Sequence, residues 1–530
     1  LKEFARLLVD LAMAPSTNAK KALMKAHFAH VPDPARGLAL AGLAGGLSIG
    51  HVKPAVFREL AASRVDPVLF DLSYDFVGDL AETVALIWPA PADPGAAPAL
   101  PDLVASLQGA AKADIPALLA GILDRLDADA RWALLKLVLG GTRVGVSARL
   151  AKTALAEYGA KDVAEIEEIW PGHVPPYLDL FAWLDGRGER PAVDASAAFR
   201  PMMLAQPLDV ADLADMDPVD WRAEWKWDGV RVQLAAAAGR SRVWTRTGEE
   251  IGAAFPEFAA AGFDAVLDGE LLVRADGETG SFADLQQRLN RKKPDAALRA
   301  KLPAFVRVYD LLFADGKDLR ALPFDERRAR LEAWHAANPD PRFDLSPPVA
   351  FADWDELKAL RAGARERAME GLMLKRAAGV YLSGRPKGEW FKWKRDPRRV
   401  DAVLVYAQRG RGKRSSFYSD FTFACWNDED RLVPVAKAYS GYSDAELKRL
   451  DKFVRDHTTD RHGPVRVVEP SLVVELEFDA VQLSARHKSG VALRFPRVAR
   501  VRWDKPAAQA DRVATLAAMV EDGRAARIAP

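Results

Sequence analysis

The chain has 530 residues, 49% of them hydrophobic and 28% charged, with a formal net charge of +1. That length exceeds one ordinary core and predicts two to four domains, and the composition excludes a disordered chain. Its single cysteine, Cys425, excludes a disulfide framework and a cysteine-rich zinc site and suits a reducing, cytoplasmic compartment. A charge so near zero makes no global case for nucleic acid, so any such case rests on local clusters.

No apolar run reaches the roughly 18 residues of a spanning helix, and no membrane role is expected. The opening "LKEFARLLVDLAMAP" carries acids and lacks a small-residue cleavage site, so it reads as an amphipathic helix rather than a leader. Residues 1–185 are rich in Ala and Leu with helical periodicity, and Ser16 or Thr17 can cap a helix in "PSTNAKKALMKAHFA". An all-α domain is predicted there. Within it, Gly140-Gly141 should end a helix, and Thr142 to Ser147, with Arg143 and Gly145, should form the turn into the next helix, on its own terms a helix-helix corner with an exposed arginine.

Residues 186–200 lose the periodicity and gather Gly, Pro, Ser and Asp, as a linker does. From 201 to 396, short runs such as "VRVQLA", "AVLDGELLV" and "AFVRVYDLLF" alternate with helical stretches, which predicts an α+β domain with mostly antiparallel strands. Residues 397–530 hold an all-β stretch from about 400 to 505 whose length and strand number suit a small barrel of oligonucleotide-binding (OB) type.

The chemistry begins at "EWKWDGVRVQ", 224 to 233. In a strand, Glu224 and Lys226 share one face and Trp225 and Trp227 the other, so the rings anchor the strand and leave Lys226 in a cleft. Asp228-Gly229 then makes a hairpin turn that brings Arg231 back beside it. A lysine nucleophile must lose its proton, which desolvation and neighbouring cations favour. The competing interpretation is a salt-bridged hairpin lysine.

Further along, "VLDGELLV" puts Asp268 and Glu270 on one strand face around Gly269, where backbone can approach a ligand; the carboxylates suit a ribose hydroxyl or a divalent metal. Tyr309 in "VRVYDLLF" is a ring able to stack on a base. "MEGLMLKR" supplies Glu370 and Lys375, and "GEWFKWKRD" supplies Lys392 and Lys394 on one strand face. Two such lysines repel unless an anion, most naturally a phosphate, sits between them. "RGRGKRSS", with Arg411 and Lys413, lacks the spacing of a phosphate-binding P-loop and reads as a basic loop. The segment 484–505 carries Arg486, Lys488, Arg494, Arg497, Arg500, Arg502 and Lys505 against the single acid Asp504.

Together these stretches resemble the covalent nucleotidyltransferase superfamily, and in particular the ATP-dependent DNA ligases, through motif I at "KWDGVR", motif III at "LDGE", motif IIIa at "VYDLLF", motif IV at "EGLMLK", motif V at "WFKWK" and motif VI at "RFPRVARVRWDK". The resemblance implies an antiparallel, ATP-grasp-like nucleotidyltransferase domain followed by an OB-fold, ATP as the nucleotide, Mg²⁺ or Mn²⁺ as the metal, and nicked double-stranded DNA as the partner, encircled by a monomer. It implies that Lys226 takes AMP as a phosphoramidate, that Glu224 and Tyr309 hold adenine, and that Arg231 and Glu270 bind the ribose side. Arg246 would meet AMP and the nick phosphate, Lys392 and Lys394 the α-phosphate, and Arg502 and Lys505 the departing pyrophosphate. Asp228, Glu270 and Glu370 would serve the metal; Arg143, Gly145, Arg411, Lys413 and Arg497 would serve DNA; Asp396 would mark a hinge. Motif spellings and composition look bacterial, which suits a nucleoid-associated enzyme. An RNA ligase or capping enzyme is disfavoured by the large helical region and motif VI, an NAD-dependent ligase by the lack of zinc cysteines, and a catalytically dead clamp by the intact motif I lysine.

Overall fold

The computed structural model describes residues 1–530 apart from 48, 50, 51, 91–95, 193–198, 276, 292, 366–368, 411–415, 486 and 521–530. Contacts divide the described chain into two units. One comprises Leu1–Val163, His173–Pro191 and Pro397–Val520; the other comprises Ala164–Gly172 and Ala192–Asp396. Arg411, Lys413 and Arg486 fall outside the described residues.

In the first unit, the N-terminal region is helical. The Lys2–Met13 helix buries Phe4, Leu7, Leu8 and Leu11, the i, i+3, i+4, i+7 stripe of an amphipathic helix. Ser16, rather than Thr17, caps the Thr17–His30 helix, its hydroxyl accepting from the Ala19 N–H at 3.2 Å. The Ala128–Val138 helix gives way to Gly140, whose φ of +77° only glycine adopts readily, and Ser147 caps the next helix, Ala148–Tyr158.

The second unit is built on two sheets. Its strands are β1 (Gln206–Pro207), β2 (Trp221–Lys226), β3 (Val230–Ala237), β4 (Arg240–Thr245), β5 (Ala265–Ala275), β6 (Glu278–Thr279), β7 (Ala304–Ala314), β8 (Lys317–Asp318), β9 (Phe343–Leu345), β10 (Pro348–Val349), β11 (Gly371–Arg376) and β12 (Trp390–Lys394). A five-stranded sheet runs β1-β12-β11-β2-β10, and a seven-stranded sheet runs β4-β3-β5-β7-β8 with β6 and β9 at its margins. Most pairings are antiparallel; β1 with β12 and β7 with β9 are parallel. The Phe324–Ala337 helix packs on β7 and ties to it by the buried, bidentate Arg327–Asp310 ion pair, at 2.8 and 3.0 Å.

Two expectations about this unit need correction. Asp228-Gly229 is not a hairpin turn, because β2 and β3 belong to different sheets and the bend carries the chain from one to the other. Gly229 is needed there since a Cβ would meet the Leu271 carbonyl oxygen at 2.6 Å. Gly269, for its part, is buried against β7, where a Cβ would lie 2.7 Å from the Arg307 carbonyl oxygen; it serves strand packing rather than approach by a ligand.

The C-terminal part of the first unit contains β13 (Arg398–Arg409), β14 (Tyr418–Trp426), β15 (Leu432–Ala438), β16 (Thr458–His462), β17 (Val465–Val468), β18 (Val473–Phe478), β19 (Ala480–Leu483), β20 (Val491–Arg494) and β21 (Arg497–Arg502). An antiparallel sheet runs β15-β14-β13-β17-β16, with β18 joining β13 to β21, and β19 and β20 form a separate hairpin. This region is not all β. A helix, Asp444–Asp456, buries Leu447, Leu450 and Val454 in its core and starts at a capping box between Ser443 and Glu446.

Candidate active site

Lys226 is the last residue of β2, and Gly371, the first of β11, lies opposite it. The Glu370 N–H donates to the Lys226 carbonyl at 3.0 Å, and the Glu370 carbonyl accepts from the Arg395 N–H at 2.9 Å. Gly371 makes this junction possible: its φ is +139°, and a side chain would strike the Trp393 carbonyl of β12. The backbone therefore fixes Glu370 beside Lys226, and the Lys226 ammonium donates to the Glu370 carboxylate. The Glu-Gly order of "MEGLMLKR" is what places an acid there.

The electrostatics reverse one expectation. Burial disfavours the Lys226 ammonium, but Glu370, Glu270 and Asp228 together outweigh that and hold the group above the ordinary lysine value. Neighbouring cations do not dominate; the acids, with Glu370 in direct contact, do. Glu270 is the opposite case: burial, reinforced by Glu370 and Asp228, overcomes the attraction of Lys226 and Arg231 and pushes its carboxyl up to about 8. The folded state thus binds more protons than the unfolded one between the ordinary carboxylate range and pH 8, so this group costs increasing stability as pH rises through that window. Glu270→Gln, uncharged throughout, should melt at a higher temperature than the parent protein, with the gap widening from about pH 5 to pH 8. A gap that stays flat across that range in calorimetric scans would contradict the assignment.

Two residues before Lys226 on β2, Glu224 points from the same strand face. It is buried and pairs with the ammonium of Lys375, at 2.9 Å from its Oε1. Lys375 lies opposite Arg222 and reaches Glu224 diagonally across the strand pair. Its Nζ sits 4.5 Å from the ring centre of Tyr309. Tyr309 arrives there from the other sheet through a β-bulge: Asp268 pairs with Asp310 and Gly269 with Val308, so Tyr309 has no opposite residue and its side chain is re-aimed.

Arg231 does not join Lys226 directly. Its guanidinium makes two bonds to Asp268, at 3.0 and 2.7 Å, and donates to the Met203 carbonyl at 2.6 Å. The Tyr381 hydroxyl donates to Asp268 at 2.6 Å and completes a buried network. Asp268 is therefore spent on Arg231 and is not open for a ribose or a metal. Arg231 still faces the Tyr309 ring at 5.7 Å, and its strand partner across β3 and β5 is Glu270.

A cationic group adjoins Lys226. Lys392 and Lys394 alternate on β12 and share a face, as expected. Burial, then Arg385, Lys394, Lys226 and Arg246, all lower the Lys392 value. Arg246, exposed just beyond β4, belongs to this group, and so does Arg385, to which the sequence reading gave no part. An anion among these side chains would relieve their mutual repulsion.

Among the described residues, no group of three or more His, Cys, Asp or Glu side chains is arranged to hold a metal. Of the acids expected to serve a metal, Asp228, Glu270 and Glu370, the last is engaged by Lys226. The donor set still fits Mg²⁺ or Mn²⁺, which bind through one or two carboxylates with the remaining positions filled by water and substrate phosphate.

Arg502 and Lys505 belong to the first unit, not to that of Lys226. Both pair with Asp401 of β13, at 3.3 and 2.7 Å, and Arg502 also pairs with Asp504 at 2.9 Å. Arg497 is held by Glu477 and Asp479. In the helical region Arg143 is exposed with φ +50°, and Lys20 donates to the Val144 carbonyl at 2.6 Å and the Gly145 carbonyl at 3.3 Å, which fixes the loop.

The chain matches the family model described as ATP dependent DNA ligase domain over residues 202–394 and the one described as ATP dependent DNA ligase C terminal region over 414–505. It is 35% identical over 423 residues to a probable DNA ligase of Koribacter versatilis, covering 74% of this chain and 72% of that one. It is 34% identical over 463 residues to a probable DNA ligase of Anaeromyxobacter sp., covering 84% and 87%. A solved structure titled Pmar-Lig_Pre superimposes with a TM-score of 0.59 at 16% identity, covering 95% of this chain and 99% of that one, and so shares its fold. The chain belongs to the ATP-dependent DNA ligase family.

Proposed function

We propose that this ligase seals 5′-phosphate/3′-hydroxyl nicks in duplex DNA through a covalent lysyl-AMP intermediate at Lys226. The observation that carries the reading is the placement of Lys226 against Glu370, with the Glu224, Lys375 and Tyr309 cluster on neighbouring strand positions and the cationic Lys392 group close enough to interact with it.

An ammonium has no lone pair, so Lys226 first gives up a proton, for which Glu370 is the acceptor within hydrogen-bond reach. Its nitrogen then attacks the α-phosphorus of ATP, the bond to the bridging oxygen breaks, and pyrophosphate leaves. A nick 5′-phosphate oxygen next attacks the same phosphorus and releases Lys226. Finally the 3′-hydroxyl attacks the 5′-phosphorus and AMP departs. Such transfers depend on in-line positioning and charge neutralisation, which the cations of the cleft supply. Glu224 and Tyr309 hold adenine, Arg231 and Glu270 the ribose side, Arg246 the AMP and nick phosphate, and Lys392 and Lys394 the α-phosphate. Glu370, with Glu270 or Asp228, would hold Mg²⁺ or Mn²⁺ together with phosphate oxygens. When bound, that ion would supply charge neutralisation and would weaken the hold of these carboxylates on the Lys226 proton.

The domain reading is 1–185 for DNA binding, 186–200 as linker, 201–396 for adenylation and 397–530 as an OB-fold, hinged at Asp396. Arg143, Gly145 and Arg497, with Arg411 and Lys413 of the basic loop, would contact nicked duplex DNA encircled by a monomer, in the cytoplasm. Arg502 and Lys505, now neutralised by Asp401, would turn to the pyrophosphate. Their alanine variants should then slow self-adenylation at least about tenfold while sealing of pre-adenylated nicks changes far less; the reverse ordering would refute the pyrophosphate role.

The reading as a whole is tested by incubating the protein with ATP, GTP and NAD in parallel, then adding nicked DNA or nicked RNA-containing duplex. Adduct formation with ATP and sealing of nicked DNA are expected. Adduct formation with NAD instead, or none that nicked DNA discharges, would overturn it.

A further inference from the structure

Lys375 is buried almost completely, at 1% exposure, which is rare for lysine unless a partner compensates. Its ammonium is enclosed by three rings, with the centres of Tyr309, Trp390 and Phe324 at 4.5, 4.8 and 4.9 Å. Its hydrogen bonds go to Glu224 Oε1 at 2.9 Å and to the Tyr309 carbonyl at 3.4 Å. Glu224 is itself 4% exposed, and no other side chain or backbone donor among the described residues reaches its second oxygen, Oε2. The site therefore presents a buried carboxylate with one oxygen pinned and the other open, directly beside the ring proposed to stack on the base.

We infer that Lys375 is a positioning residue that sets nucleotide specificity: its ammonium pins Glu224 as a carboxylate, which accepts from the 6-amino group of adenine and repels the 6-oxo group of guanine. The inference rests on the adenylation reading above. An ionised carboxylate can only accept hydrogen bonds, so an amine is a partner and a carbonyl oxygen in the same place is not. Without the buried countercharge, a carboxylate so enclosed takes up a proton and becomes able to donate to a carbonyl. Discrimination between the two purines then falls, whatever happens to the overall rate. Burial also lowers the Lys375 value, although Glu224, Asp310 and Asp268 oppose this, as expected of an ammonium whose ionisation depends on its partners.

The experiment uses the full chain with ATP and GTP, each labelled at the α-phosphate, and reads the ratio of their initial rates of covalent labelling. The parent protein should favour ATP. In Lys375→Met that preference should fall by at least about tenfold, and Lys375→Arg, which keeps the charge, should restore most of it. A Lys375→Met protein with the parental preference overturns the inference. Should that variant not fold, Glu224→Gln, whose amide both donates and accepts, carries the same test: its ATP preference should fall likewise, and an unchanged ratio overturns the inference. Failure of the parent protein to label with either nucleotide would overturn the adenylation reading and this inference together.

Discussion

Lys226→Ala is expected to take up no labelled AMP and to lose nick sealing by on the order of 10⁴-fold or more, the scale on which enzymes respond to removal of a nucleophile. The same variant should still close a nick that already carries AMP on its 5′-phosphate, because the last step uses the 3′-hydroxyl and the cations of the cleft rather than the Lys226 nitrogen. This split separates a covalent role from a structural one. The geometry gives a further reason to expect a folded variant: Lys226 is the last residue of β2 and only partly buried, and its removal leaves the buried Trp225 and Trp227 anchors in place. Residual labelling above that of a denatured control would contradict the assignment.

Asp310→Ala should bring the largest loss of stability among single substitutions in this unit, about 3–5 kcal/mol, measured by denaturant unfolding. Asp310 and Arg327 are both fully buried, and the pair is bidentate at 2.8 and 3.0 Å. Arg327 also donates to the Leu322 carbonyl at 2.5 Å and the Gly379 carbonyl at 3.2 Å, so the pair ties β7, the Phe324–Ala337 helix and the segment after β11 to one another. Removing the acid alone strands a charge in the core. The double variant Asp310→Leu with Arg327→Met should be much closer to the parent in stability, since no ion is then left uncompensated. Equal losses in the single and double variants would show that packing, not the stranded charge, sets the effect. Tyr309 neighbours Asp310 on the bulged stretch of β7, so the single variant should weaken nucleotide binding as well.

The sequence reading succeeded where local period and spacing carried the information. Strand alternation put Glu224 and Lys226 on one face, and Lys392 and Lys394 on another, and both relations hold in the sheets. It went astray wherever the outcome depended on which strands meet. Asp-Gly after a strand favours a hairpin, yet here the two flanking strands enter different sheets, a choice set by long-range pairing with β11 and β5. Asp268 and Glu270 looked equivalent from their spacing. One is consumed by Arg231 and Tyr381 while the other stays next to Lys226, and Tyr381 is distant in sequence from both. The Asp444–Asp456 helix was legible after all in the Ser443 to Glu446 spacing ahead of an amphipathic run, and was passed over because strands surround it. Lys375 carried a weaker signal: alternation aligns it with Met373 on β11, but only the tertiary fold shows that three rings and an acid enclose it.

The central claim is that Lys226 forms and then surrenders a bond to AMP. The most direct measurement is peptide mapping by mass spectrometry of the full-length protein after incubation with ATP and Mg²⁺, before and after nicked duplex DNA is added. The account predicts a single AMP adduct on the peptide containing Lys226, discharged when the nicked DNA arrives and retained when intact duplex is added instead. An adduct on any other residue, or one on Lys226 that nicked DNA leaves in place, would contradict it.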